Sequence, residues 1–289
     1  MSKANEATKG VRILRSSSDG SETVDDVLAV EEPLEVRVAY RGEDGAPLSR
    51  GVSITMRTPG DDEALAVGFL ATEGILGSPE DLEEITIGSG EDTSGLGLAP
   101  NIARVALREG VEIDLKQLSR HVFTSSSCGV CGKATLEALA NRGLARLSGD
   151  DFCIAPDVLR TLPGKLLERQ RTFAETGGLH ATALVDASGE ILDLAEDVGR
   201  HNAMDKLLGR RFLAADWPLS QNLVLVSGRA SFELVQKALV AGVPMLAAVG
   251  APSSLAVELA DNFGMTLAGF LSANRFNLYC QQQRVVEVS

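Results

Sequence analysis

Two cysteines, Cys128 and Cys131, stand in the stretch Thr124-Ser125-Ser126-Ser127-Cys128-Gly129-Val130-Cys131-Gly132-Lys133. Directly after it, Ala134 to Ala140 is rich in strong helix formers. This pattern predicts a helix with the thiols at or just before its N-terminus. Unpaired N–H groups and the macrodipole there favour a thiolate over a thiol. A structural zinc site needs four ligands. Cys153 and Cys280 are isolated in the sequence and no pair of histidines has ligand spacing, so protein-bound zinc is not expected. A zinc deaminase carries H-x-E together with P-C-x-x-C. Here Ser127 precedes Cys128, and none of His121, His180 or His201 is followed two residues later by Glu. A thioredoxin-like dithiol normally follows the first strand of a compact domain, whereas this pair lies well into the chain. What remains is a nucleophilic cysteine with a neighbouring thiol, able to hold sulfur as a persulfide or to resolve a mixed disulfide. Two packing cysteines on a loop are the bland alternative, since lone C-x-x-C matches are common. Cys153 and Cys280 read as ordinary small apolar residues.

A second constellation joins Thr176-Gly177-Gly178-Leu179-His180 to Glu196-Asp197-Val198-Gly199-Arg200-His201-Asn202. Both His180 and His201 follow glycine-containing backbone that a ligand can approach. As acid/base groups or phosphate partners they suit neutral pH; taken singly, each more often reads as a packed or capping histidine. Asp205 and Lys206, just beyond, read as a solvated helix face. The third constellation is a pair of strand-to-helix turns, Ser227-Gly228-Arg229-Ala230-Ser231 and Gly250-Ala251-Pro252-Ser253-Ser254. Small residues where strands open onto helix N-termini form anion sites, and Arg229 adds a bidentate phosphate donor. Neither turn is a Walker A loop or G-x-G-x-x-G, so ATPase and dehydrogenase readings find no support. Last, Phe270-Leu271-Ser272-Ala273-Asn274-Arg275 leads into Phe276 to Tyr279, where a strand end could hold a nucleotide or pterin head, a reading that a terminal strand with polar flanks matches nearly as well.

The elements that must position these groups are legible as two halves. Residues 1–24 are polar and predict a flexible tail. From 25 to 145 the alternation of Leu34, Val36, Val38 and Tyr40, then Val52, Ile54 and Met56, predicts a hairpin. Thr58-Pro59-Gly60-Asp61 starts a helix carrying Leu65, Phe69 and Leu70, and strands follow at Ile85–Ile87 and Ala103–Leu107. This half reads as a small, β-rich, mostly antiparallel α+β domain that ends in the C-x-x-C loop and helix. From 146 to 289 the chain reads as α/β. Pro156 and Pro163 each predict the first turn of a helix, the second stopping at Gly177-Gly178. Ala187-Ser188-Gly189 marks a hairpin turn. Leu223–Val226, Val243–Val249 and Thr266–Leu271 are continuous apolar runs alternating with helices at 231–241 and 255–263, as in a parallel sheet buried on both faces.

At 289 residues the chain has ample length for a core. A net charge of −13 argues against a general nucleic-acid binder while leaving room for a local basic pocket. No run approaches the ~18 apolar residues of a membrane span, and no apolar segment follows Lys3 and Lys9 as a secretory signal requires. Four cysteines without such a signal point to the reducing cytoplasm.

In their order along the chain, five stretches resemble the formate dehydrogenase accessory sulfurtransferases, the FdhD/NarQ family. They are Ser126 to Gly132, Thr176 to His180, Val198-Gly199-Arg200-His201-Asn202-Ala203-Met204-Asp205-Lys206, Ser227-Gly228-Arg229 and Ala251 to Ala256. The resemblance runs from about residue 30 to the C-terminus. One departure is Ser272, which stands where the family pattern has a basic residue and leaves Arg275 as the cation of that segment. The resemblance implies a sulfur carrier that accepts sulfur from a cysteine desulfurase as a persulfide. It would pass that sulfur to molybdenum (or tungsten) bis-molybdopterin guanine dinucleotide, the cofactor of formate dehydrogenase. It further implies a cytidine deaminase-like second domain with three α/β/α layers, and a homodimer. Cys128 matches the persulfide-bearing position, Cys131 its partner, and Phe270 to Arg275 the C-terminal cofactor-binding segment. The alternative from another class is a non-catalytic chaperone that binds and delivers the molybdenum cofactor, with the cysteines incidental; a thiol oxidoreductase is a third.

Overall fold

The computed structural model describes residues 7–42, 45–90, 101–111, 144, 146–147 and 152–286. Cys128, Cys131 and the helix expected after them lie outside the described residues, as does most of the Gly/Ser/Asp loop between the strands at Ile85–Ile87 and Ala103–Leu107.

The described chain begins with a hairpin, not a tail. β1 (Thr8–Ser17) and β2 (Gly20–Ala29) pair antiparallel from Thr8↔Ala29 to Ser17↔Gly20. Composition is a poor guide here because most side chains on both strands face water. Val11, Ile13 and Val24 share one half-buried face, and backbone pairing supplies the rest. Next, β3 (Glu32–Arg41), β4 (Pro47–Arg57), β5 (Leu82–Ser89) and β6 (Asn101–Leu107) form a sheet in the order β4-β3-β6-β5. Only the β3–β6 pair is parallel, so the mostly antiparallel expectation holds. The predicted alternation is seen in Leu34, Val36, Val38 and Val52, which pack with Leu65 and Leu70 of α1 (Asp62–Thr72).

The second sheet has the order β12-β11-β10-β9-β7-β8. β7 (His180–Val185) and β8 (Ile191–Asp197) are the expected hairpin, and β9 (Leu223–Val226), β10 (Met245–Ala248) and β11 (Thr266–Gly269) run parallel. β12 (Asn277–Cys280) closes one edge antiparallel to β11. Along β9 the faces alternate. Val224 and Val226 meet one core with α4 (Arg200–Leu213), α5 (Phe232–Val240) and α6 (Ser254–Asn262). Leu223 and Leu225 meet another with α2 (Pro156–Arg169). The whole is a mixed α+β fold, with this sheet buried on both faces.

Pro163 does not open a helix; it lies inside α2, which continues to Arg169 before α3 (Arg171–Thr176) ends at Gly177. An interior proline costs about 3 kcal/mol. Leu159, Leu162 and Leu166 are all but fully buried on one face of that helix. At roughly 1.5–3 kcal/mol each, that stripe outweighs the lost hydrogen bond.

The two sheets are joined through α1 and α4, which cross with Gly68 against Gly209. A Cβ on Gly68 would run into the Asp205 carbonyl and lie 2.8 Å from the Gly209 nitrogen. Asp205 and Lys206 are not a solvated face: both are buried in this seam. Lys206 lies 2.7 Å from Asp197 and donates to the Thr58 carbonyl at 2.7 Å. Lys237 of α5 lies 2.9 Å from Asp205 and donates to Thr72, whose hydroxyl in turn donates to Asp205 at 3.1 Å. Burial alone would lower the Lys237 pKa, but Asp205 and Glu73 raise it above the ordinary lysine value. Burial also pushes the Asp205 carboxyl up, against the pull of Lys237. We take the pair as ionised, because the contact and the surrounding donors favour carboxylate and ammonium together.

Candidate functional site

Three strands running one way bring three turns to one edge: Ser227–Ser231 after β9, Val249–Ser253 after β10 and Phe270–Phe276 after β11. Backbone hydrogen bonds tie these turns together. Gly250 N donates to Gly228 O at 2.9 Å, Phe270 N to Gly250 O at 3.0 Å, and Ser253 N to Ala230 O at 3.0 Å. Because β7 runs antiparallel to β9, its first residue, His180, arrives at this edge too. Its cross-strand partner is Asp197, at the end of β8 and just before α4. The second and third constellations of the sequence are therefore one place in space.

Each predicted residue has a definite part here. Ser227 is committed to holding the edge, since its hydroxyl accepts Ala181 N at 2.9 Å while its own N–H donates to Ala181 O. Gly228 lies against His180, where a Cβ would sit 3.3 Å from the ring Nδ1; a side chain there would displace the imidazole. Arg229 is exposed at the turn. Phe270 has φ 53° and is 43% exposed. A left-handed, solvent-facing phenylalanine costs about 1–2 kcal/mol and gains little burial. Such strain concentrates at ligand sites, and the open ring offers a stacking face for a planar heterocycle. Leu271, by contrast, is a core side chain at 1% exposure. Ser272 and Arg275 close a tight turn: Ser272 N donates to Arg275 O at 2.9 Å, and Arg275 N to Ser272 Oγ at 3.2 Å. Ala273, Asn274 and the Arg275 side chain are thereby left exposed.

His201, the second residue of α4, places Nε2 3.4 Å from Ser231 Oγ and 3.8 Å from Glu233. Burial, then the neighbouring Arg200, lower its pKa to about 4, with Glu233 pulling the other way. The close carboxylate is therefore no ion pair at neutral pH. Burial and Arg200 also lower His180. Burial opposes ionisation of Glu233, yet backbone and Ser231 hydrogen bonds hold it below the usual carboxylate range. With the Ser231 hydroxyl spent on that carboxylate, the neutral His201 donates to Ser231 through Nε2–H.

This sets a pH dependence. In the unfolded chain His201 titrates at its ordinary 6.5, and in the fold at about 4. Its contribution to stability is complete above pH 6.5 and declines as pH falls toward 4, because there the unfolded state binds the extra proton. Thermal melts between pH 4 and 7 should show a shallower decline for His201→Gln than for the unaltered protein. Parallel curves would refute the assignment.

Residue types alone did not mark Asp197, Arg200, Ser231 or Glu233 as members of the site. The signal available was position: Arg200 lies between Gly199 and His201 in a stretch already singled out.

The family model described as FdhD/NarQ matches residues 29–286. A protein named sulfur carrier protein FdhD from Streptomyces avermitilis is 48% identical, covering 96% of this chain and 95% of its own. Proteins of the same name from Mycobacterium tuberculosis and Sulfurisphaera tokodaii are 45% and 39% identical, each covering 96% of this chain and 99% of its own. In three dimensions the fold is similar to a crystal structure described as a formate dehydrogenase accessory protein from Desulfotalea psychrophila. The TM-score is 0.71 at 23% identity, over 97% of this chain and 100% of that one.

Proposed function

This chain belongs to the FdhD/NarQ family, and on that footing we propose that it is a sulfur carrier for formate dehydrogenase maturation. Cys128 accepts sulfur from a cysteine desulfurase. Its thiolate attacks the outer sulfur of the desulfurase persulfide, the desulfurase cysteine leaves as thiolate, and a persulfide stands on Cys128. Attack of the Cys131 thiolate on Cys128 Sγ then forms a Cys128–Cys131 disulfide and releases the outer sulfur as sulfide, which passes to molybdenum bis-molybdopterin guanine dinucleotide, the substrate held at the strand edge. Cys131 is the partner thiol. The protein works in the cytoplasm as a homodimer, as the family pattern implies.

The observation that carries the binding half of this reading is the convergence of His180, Ser227–Arg229, Phe270 and Arg275 on one edge of one sheet. A guanine or pterin ring suits the open face of Phe270, and phosphates suit Arg229, Arg275 and the backbone of the small-residue turns. Among the described residues no helix is long and apolar enough to cross a membrane.

Mass spectrometry after incubation with a cysteine desulfurase and cysteine tests the transfer. The expected result is a gain of one sulfur atom on the Cys128 peptide, absent from Cys128→Ala. No gain in the unaltered protein would favour a chaperone that delivers the cofactor without carrying sulfur.

A further inference from the structure

We propose that Arg200, with His180 and His201, forms a phosphoryl-binding subsite at the start of α4. The inference deepens the reading of this edge as the place of a phosphorylated ligand and rests on it. Arg200 differs from the buried and half-buried cations around it. Lys206, Lys237, Arg57 and Arg210 each lie against a carboxylate. Among the described residues Arg200 has no ion-pair partner; its Nε is buried without a hydrogen-bond acceptor, as are those of the ion-paired Arg210 and Arg211, so the missing carboxylate is what sets it apart. The carboxylates within reach are committed elsewhere. Asp197, fully buried, takes four donors: Thr58 N, Gly199 N, the Asn202 amide and Lys206. Glu233 accepts from Ser231 and feels the charge of Arg200, but among the described residues it makes no ion pair with it. A guanidinium lacking its planar acceptor is matched by the oxygens of a phosphate, which it binds bidentately.

The surroundings agree with that assignment. His180 and His201 both feel the charge of Arg200; as neutral rings they act as polar partners, leaving Arg200 as the fixed positive charge. No acidic residue occupies the first turn of α4, so nothing on the helix itself competes with an incoming anion. Asp197 holds Gly199 and Asn202 on either side of Arg200, which fixes where the side chain departs from the backbone.

Calorimetry with inorganic pyrophosphate, GDP and guanosine tests the subsite on the full chain. Arg200→Gln is expected to weaken pyrophosphate and GDP by roughly ten- to a hundredfold, the range for a hydrogen bond to a charged group. Guanosine binding should be unchanged and Arg200→Lys should recover part of the loss. Undiminished pyrophosphate binding by Arg200→Gln would overturn the subsite, as would an equal loss of guanosine. If the unaltered protein binds pyrophosphate as tightly as GDP and does not bind guanosine, the subsite stands and the guanine-nucleotide reading fails. Binding of guanosine without pyrophosphate does the reverse, and binding of none of the three defeats both.

Discussion

Gly68→Ala should destabilise the protein by about 3 kcal/mol or more, at the upper end of what overpacking of a tight interface produces. The sign is the diagnostic part. In a helix interior, glycine to alanine ordinarily stabilises by roughly 0.5–1 kcal/mol. Gly164 in α2 is such a position: a Cβ there meets nothing within 4 Å. At Gly68 the same methyl runs into the Asp205 carbonyl, backbone against backbone, with no side chain able to swing away. Relief requires α1 and α4 to separate. That movement would stretch the contacts sealed behind the crossing, including the 2.9 Å approach of Lys237 to Asp205. Urea unfolding of Gly68→Ala and Gly164→Ala should therefore give shifts of opposite sign. A neutral or stabilising Gly68→Ala would mean the helices are not in contact as described.

The second large effect concerns Asp197, and it is asymmetric between the partners of its ion pair. Asp197→Ala removes the acceptor of four donors at once and leaves the Lys206 ammonium buried, with only the Thr58 carbonyl at hand. Stranding a buried charge costs about 3–5 kcal/mol. Lys206→Met removes one donor of the four and places a flexible apolar chain in the same space. The carboxylate keeps Thr58 N, Gly199 N and Asn202, so the loss should be roughly 1–3 kcal/mol. Combining the two changes should not restore stability, since the N–H groups of Thr58 and Gly199 stay without acceptors. Denaturant midpoints of the three variants decide the matter. Equal losses for the two single changes would show that the ion pair itself, and not the ring of donors, is what Asp197 contributes.

These networks also mark where the sequence stopped being informative. Leu34, Val36 and Val38, or Leu223 to Val226, could be read because a periodic apolar pattern states its own burial. The parallel sheet, its α5 and α6 connections and the turns at its edge follow from that pattern. Asp205 and Lys206 could not be read this way. A charged residue four positions past His201 looks solvated, and only the approach of a second helix, made possible by Gly68 and Gly209, reveals the cavity that takes it. The β1–β2 hairpin escaped for the opposite reason: its pairing is backbone-made, and its side chains advertise water. Pro163 misled because first-turn preference is a local rule, overridden here by three buried leucines. At the site, the ligand-facing types Arg229, Phe270 and Arg275 were visible. The commitment of Ser227 to Ala181 and the burial of Leu271 needed the strands to be placed side by side.

The order β8-β7-β9-β10-β11 also works as a ruler. Neighbouring strands lie about 4.8 Å apart, so His180, at the start of β7, and Arg275, after β11, stand across three spacings, about 14 Å. A lone phosphate spans a fraction of that row. A molecule that engaged both ends would have to be long, carrying ring and charge at separate points along its length, and the edge would select it by reach before any single contact selected it by chemistry.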